Sequence, residues 1–219
     1  MIFKDREEAA QLLLKKLIKY KDQNPLVLGI PRGAMPMARI IAEGLNGELN
    51  AVLIHKIPAP HQEELAIGSV GLSGEIFRLP LIKEYGIKES YIQEAAKKQI
   101  EVLKKRKERF QLPELRCQDR IVIIVDDGIA TGATALGAIH EVRSQSPRKL
   151  ILAAGVVAQS TAASMRSLVD EFVVLDEPEF FFAVSEFFSE FDQVTDDEVV
   201  EILKKVKKGK RPPEAQPRL

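Results

Sequence analysis

The chain has 219 residues, and its 32 Lys and Arg side chains balance 32 Asp and Glu side chains, so the formal net charge is zero. This balance gives no overall attraction to nucleic acid or to an anionic membrane. No apolar run approaches the roughly 20 residues that span a bilayer, and the N-terminal region does not resemble a signal peptide. The single cysteine, Cys117, cannot form an internal disulfide. A free thiol is typical of a reducing compartment, so a cytoplasmic protein is expected.

In the first half of the chain, apolar runs bounded by turn residues predict strands, and amphipathic segments predict helices. Asp5 is suited to cap the first helix. A stretch rich in Pro, Gly, Glu and His predicts a long mobile loop. The predicted elements are a helix over 2–20, a strand over 26–30, a helix over 34–45, a strand over 51–57, the loop over 58–74 and a hairpin strand over 75–79.

A long helix is predicted over 89–110, with apolar residues along one side and many Lys and Arg residues on the other. The basic side has two interpretations, a nucleic-acid-binding patch or an ordinary solvated helix face. Acidic residues elsewhere in the chain cancel its charge, which favours the solvated face. Neither a DNA nor an RNA partner is therefore expected.

The second half of the chain predicts three buried strands separated by two helices. The strands are 121–125, 150–158 and 172–175, and the helices are 133–145 and 161–168. Strands that alternate with helices indicate an α/β fold with a parallel five-stranded sheet and helices on both faces. We expect one domain over 1–208. The polar, Pro-rich tail over 209–219 is predicted to be disordered.

The strand at 121–125 ends in two acids, Asp126 and Asp127, and a Gly- and Thr-rich loop and a helix follow. Ligands of open α/β sheets bind beyond the carboxyl ends of the strands. Carboxylates accept hydrogen bonds from a sugar diol, whereas loop amides, Thr hydroxyls and a helix N-terminus bind phosphate. The segment therefore predicts a ribose 5-phosphate site. The alternative, a plain turn with Asp as a helix cap, accounts for only one of the acids.

The sequence VIIVDDGIATGAT resembles the phosphoribosyl pyrophosphate (PRPP) signature of type I phosphoribosyltransferases, and the layout of residues 2–205 resembles that family as well. The chain as a whole looks most like a bacterial and archaeal group whose acceptor is undefined. The hairpin strand and the long helix are then expected as an insertion in this fold, and the resemblance implies a small C-terminal hood. It also implies that Asp126 and Asp127 hold the ribose hydroxyls. The residues implied to wrap the 5-phosphate are Ala130, Thr131, Gly132, Ala133 and Thr134.

Ala130 bears on the acceptor, because the 6-oxopurine enzymes of the family carry an Asp at the matching position. That Asp is taken to act on the purine ring. Its absence here argues against hypoxanthine or guanine as the acceptor.

The segment Gly29–Ala34 follows the first buried strand. By resemblance it is the pyrophosphate loop, with Arg32 as a bidentate cation for phosphate oxygens and Gly33 as part of a tight turn. The family often has a non-proline cis peptide here, so we expect one at Pro31–Arg32 or Arg32–Gly33. The alternative is a plain turn that carries a surface arginine.

The resemblance also places the mobile catalytic loop of the family after the second strand. Lys56 is the candidate to neutralise departing pyrophosphate, although an edge charge without function is the alternative. The three His and one Cys show no metal-ligand spacing, so no protein-held metal is expected. Mg²⁺ would be carried mainly by PRPP.

Six of the ten Phe residues lie between Glu179 and Phe191. One interpretation is a helix that packs on the sheet. The other assigns Phe180, Phe181 and Phe182 to the hood over the acceptor, where an aromatic ring stacks on a planar base.

These features together predict a glycosyltransferase that moves the 5-phosphoribosyl group from PRPP to a nitrogen acceptor, a nucleobase or another amine, as in nucleotide salvage. A homodimer is expected from the resemblance. The alternative is a non-enzymatic sensor of PRPP or nucleotides on the same fold, since a fold does not fix an activity. A sugar-phosphate hydrolase would need a nucleophile or a metal cage, and neither is visible.

Overall fold

The computed structural model describes residues 1–209. The predicted disordered tail therefore lies, apart from Gly209, outside the described residues. Gly209 itself ends the last helix of the fold.

The centre of the fold is a five-stranded sheet in the order β2-β1-β6-β7-β8, and all its neighbouring strands are parallel. This confirms the predicted α/β fold class. The strands are β1 (Leu26–Gly29), β2 (Glu48–Ala51), β6 (Ile121–Ile129), β7 (Lys149–Val157) and β8 (Glu171–Asp176).

Helices cover both faces of this sheet. Successive side chains of a strand point to opposite faces, so an apolar strand presents apolar side chains on both sides. In β6, Ile123 and Val125 belong to one core cluster, whereas Val122 and Ile124 belong to the other. The first cluster packs under α1 (Arg6–Leu17), α2 (Met35–Gly44) and α7 (Asp196–Gly209). The second packs under α5 (Ala133–Arg143) and α6 (Gln159–Arg166).

A separate antiparallel sheet of three strands lies beside the main one, in the order β3-β4-β5. It corresponds to the inserted hairpin. Its strands are β3 (Ile54–Ala59), β4 (Gln62–Gly71) and β5 (Ile76–Arg78), and α3 (Leu81–Glu84) and α4 (Glu89–Phe110) follow. Ile57 and Ile67 of this sheet pack against Ile92 of α4, and all three are fully buried.

Two predictions for this region are wrong. The strand predicted over 51–57 is two strands in different sheets, separated at Val52 and Leu53. The loop predicted over 58–74 contains the ten-residue strand β4. Its Pro and Gly content suggested a loop, but burial of Ile67 and Val70 and pairing with β3 outweigh local composition.

The Phe-rich segment does not form the helix that was one interpretation of its sequence. Between Glu179 and Phe191 the only helical element is a single 3₁₀ turn over 184–187. Phe188 is buried and contacts Phe3, with ring centroids 5.4 Å apart. The segment therefore connects β8 to α7, a helix that was not predicted from the sequence.

The first helix begins later than predicted. Residues 2–4 precede it, and Phe3 forms a parallel bridge with Phe188. Asp5 is the N-cap, as predicted, and its carboxylate accepts from the backbone N of Glu8 at 2.8 Å. Arg6 is therefore the first residue of α1.

Candidate functional site

The two acids lie near the carboxyl end of β6, which extends to Ile129. The backbone N of Asp127 donates to Oδ1 of Asp126 at 3.0 Å. Nε of Arg6 donates to Oδ2 of Asp127 at 2.8 Å. Apart from the interaction between the two carboxyl groups themselves, these are the only hydrogen bonds that the two side chains accept within residues 1–209. One oxygen of each acid is thus left for a ligand.

Burial, and next the charge of the neighbouring Asp127, raise the pKa of Asp126 well above its ordinary value. The positive charge of Arg6 acts in the opposite direction. A carboxylate pair this close favours retention of a proton by one member. A ligand that brings hydroxyl donors or a cation would offset the repulsion between the two charges.

Arg6 was not predicted to belong to the site. Its side chain is only 12% exposed. It also donates from Nη1 to the backbone oxygen of Asp192 at 2.7 Å, and its guanidinium lies 3.8 Å from the centroid of the Phe191 ring. One signal was present in the sequence. A cation at the first position of a helix opposes the helix dipole, so such a residue suggests another partner.

The loop between β6 and α5 has the geometry of an anion site. Gly132 is the N-cap of α5 with φ +79, in the left-handed region. A Cβ on Gly132 would lie 2.5 Å from Cε of Met165 and 2.6 Å from Cγ2 of Thr161. Thr161 also donates from its hydroxyl to the backbone oxygen of Ala130 at 2.6 Å. These contacts hold the loop in place before α5. The unpaired backbone N–H groups in the first turn of α5 form the positive end of the helix.

The segment Gly29–Ala34, predicted to be the pyrophosphate loop, contains the expected non-proline cis peptide, at Pro31–Arg32. Nη1 of Arg32 lies 3.6 Å from Oδ1 of Asp196, an ion-pair distance without a hydrogen bond. Oδ2 of Asp196 pairs instead with Nη1 of Arg109, at 2.8 Å. Because the Arg32 side chain is 46% exposed, it remains accessible to a ligand.

Two adjoining cavities bring these elements together. The smaller, of about 170 Å³, is lined by residues 128–135, Asp126, Lys56 and Val184. The larger, of about 410 Å³, is lined by Arg6, residues 30–33, both acids, Thr134 and residues of the segment 191–194. Asp126 and Thr134 line both cavities. The predicted catalytic and PRPP-binding residues therefore all lie around one composite site.

The three aromatic residues predicted to bind the acceptor lie elsewhere. Phe180 and Phe182 are 76% and 84% exposed, and the ring of Phe181 packs against Phe187, with centroids 5.1 Å apart. None of the three lines either cavity. From the same segment, Val184 lines the smaller cavity and Phe191 the larger one.

The parallel sheet, the acid pair, the loop before α5 and the segment Gly29–Ala34 together define a phosphoribosyl transferase domain. A model of the family described as "Phosphoribosyl transferase domain" matches residues 2–189, and the chain belongs to this family. It is 37% identical to TT1426 of Thermus thermophilus, whose crystal structure aligns with a TM-score of 0.82 over 94% of this chain and 99% of that one.

The chain is also 35% identical over 205 residues to a Mycobacterium tuberculosis protein provisionally named as a phosphoribosyl transferase. That alignment covers 92% of this chain and 46% of the relative. The chain thus spans about half the length of the curated relatives that it matches. In residues 1–209, none of the helices has the length and apolar character to cross a membrane.

Proposed function

We propose that the chain transfers the 5-phosphoribosyl group of PRPP to a nitrogen acceptor and releases pyrophosphate. The observation that carries this proposal is the convergence of three sites on adjoining cavities that share Asp126 and Thr134. The sites are the acid pair, the loop before α5 and the Arg32 loop. A phosphoribosyl donor with a pyrophosphate group requires one subsite for its diol and two for its phosphates.

Each subsite has chemistry suited to one part of PRPP. The free oxygens of Asp126 and Asp127 accept hydrogen bonds from the ribose 2- and 3-hydroxyls. Residues 130–134 surround the 5-phosphate with backbone amides, Thr hydroxyls and the N-terminus of α5. Arg32 and the backbone of residues 31–33 contact the pyrophosphate.

Charge placement supplies the rate enhancement in this proposal. As the bond between ribose C1 and the pyrophosphate oxygen breaks, positive charge develops on the sugar ring, and the acid pair stabilises it. Arg32 stabilises the negative charge on the leaving group. Lys56 lines the smaller cavity, so it must reach toward the Arg32 loop to share this role. The acceptor nitrogen then forms the new bond to C1 and gives up its proton.

A Mg²⁺ ion fits this donor set. The two acids offer carboxylate oxygens, the type of ligand that Mg²⁺ prefers. The described residues contain no cluster of three or more potential metal ligands. The remaining ligands would therefore come from PRPP, and the ion would neutralise part of the pyrophosphate charge.

The acceptor is proposed to be a nucleobase, which would place the reaction in nucleotide salvage. Ala130 occupies the position where 6-oxopurine enzymes carry an Asp, so hypoxanthine and guanine are expected to be poor acceptors. The exposed rings of Phe180 and Phe182 are available to stack on a planar base. Neither ring lines the cavities, so this role requires the segment to move over the site.

The test measures pyrophosphate release from PRPP and Mg²⁺ across a panel of purines, pyrimidines and other amines, with PRPP affinity measured in parallel by calorimetry. The double variant D126N/D127N should lose PRPP binding while its circular dichroism stays unchanged. The proposal fails if the wild type does not bind PRPP, or if the double variant binds it with undiminished affinity. PRPP binding without turnover of any acceptor would indicate a sensor instead.

A further inference from the structure

Arg6 connects parts of the site that are distant in the chain. Its Nε contacts Asp127, its Nη1 contacts the backbone of Asp192, and its planar group stacks on Phe191. The third nitrogen, Nη2, lies close to the pyrophosphate loop, because a Cβ on Gly33 would be 3.3 Å from it. The guanidinium therefore lies between the acid pair, the segment 191–192 and the pyrophosphate loop.

Its contact with Asp127 determines which carboxylate oxygens remain for a ligand. Asp126 uses Oδ1 to accept from the backbone of Asp127, and Asp127 uses Oδ2 to accept from Arg6. Apart from the interaction between the two carboxyl groups themselves, Oδ2 of Asp126 and Oδ1 of Asp127 accept no hydrogen bond from the part of the chain that the structure describes. Two free oxygens on adjacent residues match two adjacent sugar hydroxyls.

Arg6 also supplies positive charge where it is needed. Among residues 1–209 it is the one cation hydrogen-bonded to the acid pair. Arg32 lines the same cavity but pairs with Asp196, and Lys56 is exposed on β3. Without Arg6, the two adjacent carboxylates would have no directly bonded counter-charge.

The structure also restricts the mobility of Arg6. An arginine that is exposed loses rotamer entropy when it pairs. Arg6 is already held by two hydrogen bonds of normal length and by an aromatic ring. Little further ordering is therefore needed when a ligand binds, and this preorganisation favours affinity.

We propose that Arg6 is a positioning residue, which orients the Asp127 carboxylate for the ribose diol and neutralises the acid pair. The inference rests on the proposed PRPP site and adds a residue that acts through Asp127 rather than on the phosphates. It separates the role of Arg6 from that of Arg32, which faces the leaving group. It also gives the segment 191–192 a part in ribose binding, because that segment holds Arg6.

The experiment compares three ligands by calorimetry, namely PRPP with Mg²⁺, ribose 5-phosphate, and pyrophosphate with Mg²⁺. The variants are R6Q, R6K and the control R39Q. Arg39 lies on α2, and within residues 1–209 its one ion pair is with Glu43, one turn away. Circular dichroism and thermal unfolding report the fold of each variant.

In R6Q, the affinity for PRPP and for ribose 5-phosphate should fall about tenfold to a hundredfold, the loss expected on removal of a charged hydrogen bond. Pyrophosphate affinity should stay within about twofold, since its contacts lie on the other loop. R6K keeps the charge and should recover part of the loss, whereas R39Q should match the wild type.

Three results would overturn the inference. A loss confined to pyrophosphate and PRPP would make Arg6 a direct contact of the leaving group. An equal loss of affinity for all three ligands would indicate a general disturbance of the site. Unchanged affinity for all three would show that Arg6 has no role in ligand binding. If R6Q does not fold, the same comparison is made with R6K, whose loss should again spare pyrophosphate. A wild type that fails to bind PRPP refutes the proposed function itself, and this is seen before any variant is compared.

Discussion

Gly33 and Asp127 pack so closely that a Cβ atom on residue 33 would lie 2.2 Å from Oδ2 of Asp127. The backbone of Gly33 is not in the left-handed region, so conformational freedom is not what the position requires. It requires space for a carboxylate. From the sequence, Gly33 was predicted to be a turn residue, whereas the structure shows that it lets the segment Gly29–Ala34 and the acid pair meet.

Replacement of Gly33 by alanine should therefore displace the Asp127 carboxylate and break its alignment with Arg6. We expect G33A to lower the unfolding free energy by about 1–3 kcal/mol, the usual cost of an added group in a packed site. PRPP affinity should fall at least about tenfold, which corresponds to ~1.4 kcal/mol. Urea unfolding and calorimetry measure the two effects.

The control for this prediction is the same substitution in a D127A background. With the carboxylate removed, the added methyl group has room, so G33A should cost much less stability there. The coupling between the two positions should be about 0.5–3 kcal/mol, as for residues in contact. Additive costs would show that the alanine clashes with something other than Asp127.

The raised pKa of Asp126 predicts a pH-dependent stability of the free protein. A folded-state pKa above the unfolded one contributes stability at low pH, and this contribution is lost as pH rises through the folded value. At pH 8 the ionised, partly buried Asp126 therefore costs stability. D126N removes this cost and still accepts from the backbone of Asp127.

We expect D126N to raise the melting temperature at pH 8 by about 2–4 °C, the shift that ~1 kcal/mol gives in a chain of this length. The gain should shrink as pH falls toward the ordinary Asp value of about 4. D119N, at an exposed turn, serves as the control and should show no such trend. A gain that grows at low pH would contradict the prediction.

The left-handed Gly132 gives a third prediction. Alanine there meets both an unfavourable backbone conformation and the side chains of Met165 and Thr161. G132A should cost about 2–4 kcal/mol of stability, the sum of backbone strain and overpacking. It should also weaken ribose 5-phosphate binding, because the start of α5 shifts. Chemical denaturation and calorimetry test the two parts.

Gly86 is the matched control, since it also has a positive φ, +59, but a Cβ at this position would have no atom within 4 Å. G86A thus reports the backbone strain alone, about 1 kcal/mol. The excess cost of G132A over G86A measures the clash. Equal losses of stability in the two variants would mean that the loop moves away from Met165 without a measurable energetic cost.

The Phe-rich segment offers a comparison between Phe191 and Phe182. Phe191 is partly buried and packs on Arg6 and Phe188, so F191A should cost about 1–3 kcal/mol. Phe182 is 84% exposed, so F182A should change stability by less than about 0.5 kcal/mol. Thermal and urea unfolding give both values.

The same pair tests the acceptor hypothesis. If Phe182 stacks on the acceptor, F182A raises the acceptor KM and leaves the KM for PRPP unchanged. F191A should instead raise the KM for PRPP, because it loosens Arg6. An unchanged acceptor KM in F182A would exclude Phe182 from acceptor binding.

The sequence by itself predicted most of the segment Ile121–Thr134, although the strand continues to Ile129, four residues beyond its predicted end. Its strand, acid pair, glycine-containing loop and helix are contiguous, so apolar periodicity and local backbone preference predict them directly. The alternation of strands and helices likewise predicted a parallel sheet with two covered faces. The cis peptide at Pro31–Arg32 was expected from family resemblance at a short local motif.

Tertiary structure decided the elements whose surroundings come from distant residues. The apolar run through 51–57 has no break in hydrophobicity at Val52 and Leu53, which are both buried. Only pairing with β1 on one side and β4 on the other divides it between two sheets. For the same reason β4 was wrongly predicted to be a loop. Its residues are buried by α4, and the composition of residues 58–74 does not indicate that contact.

The acid pair shows both contributions in one place. Local sequence predicts that two carboxylates follow a buried apolar run, because that depends on neighbouring residues alone. Which oxygens remain available depends on Arg6, which lies 121 positions away from Asp127, and on the space left by Gly33. Contacts between residues so far apart are set when the helices and loops pack around the sheet, and no local pattern encodes them.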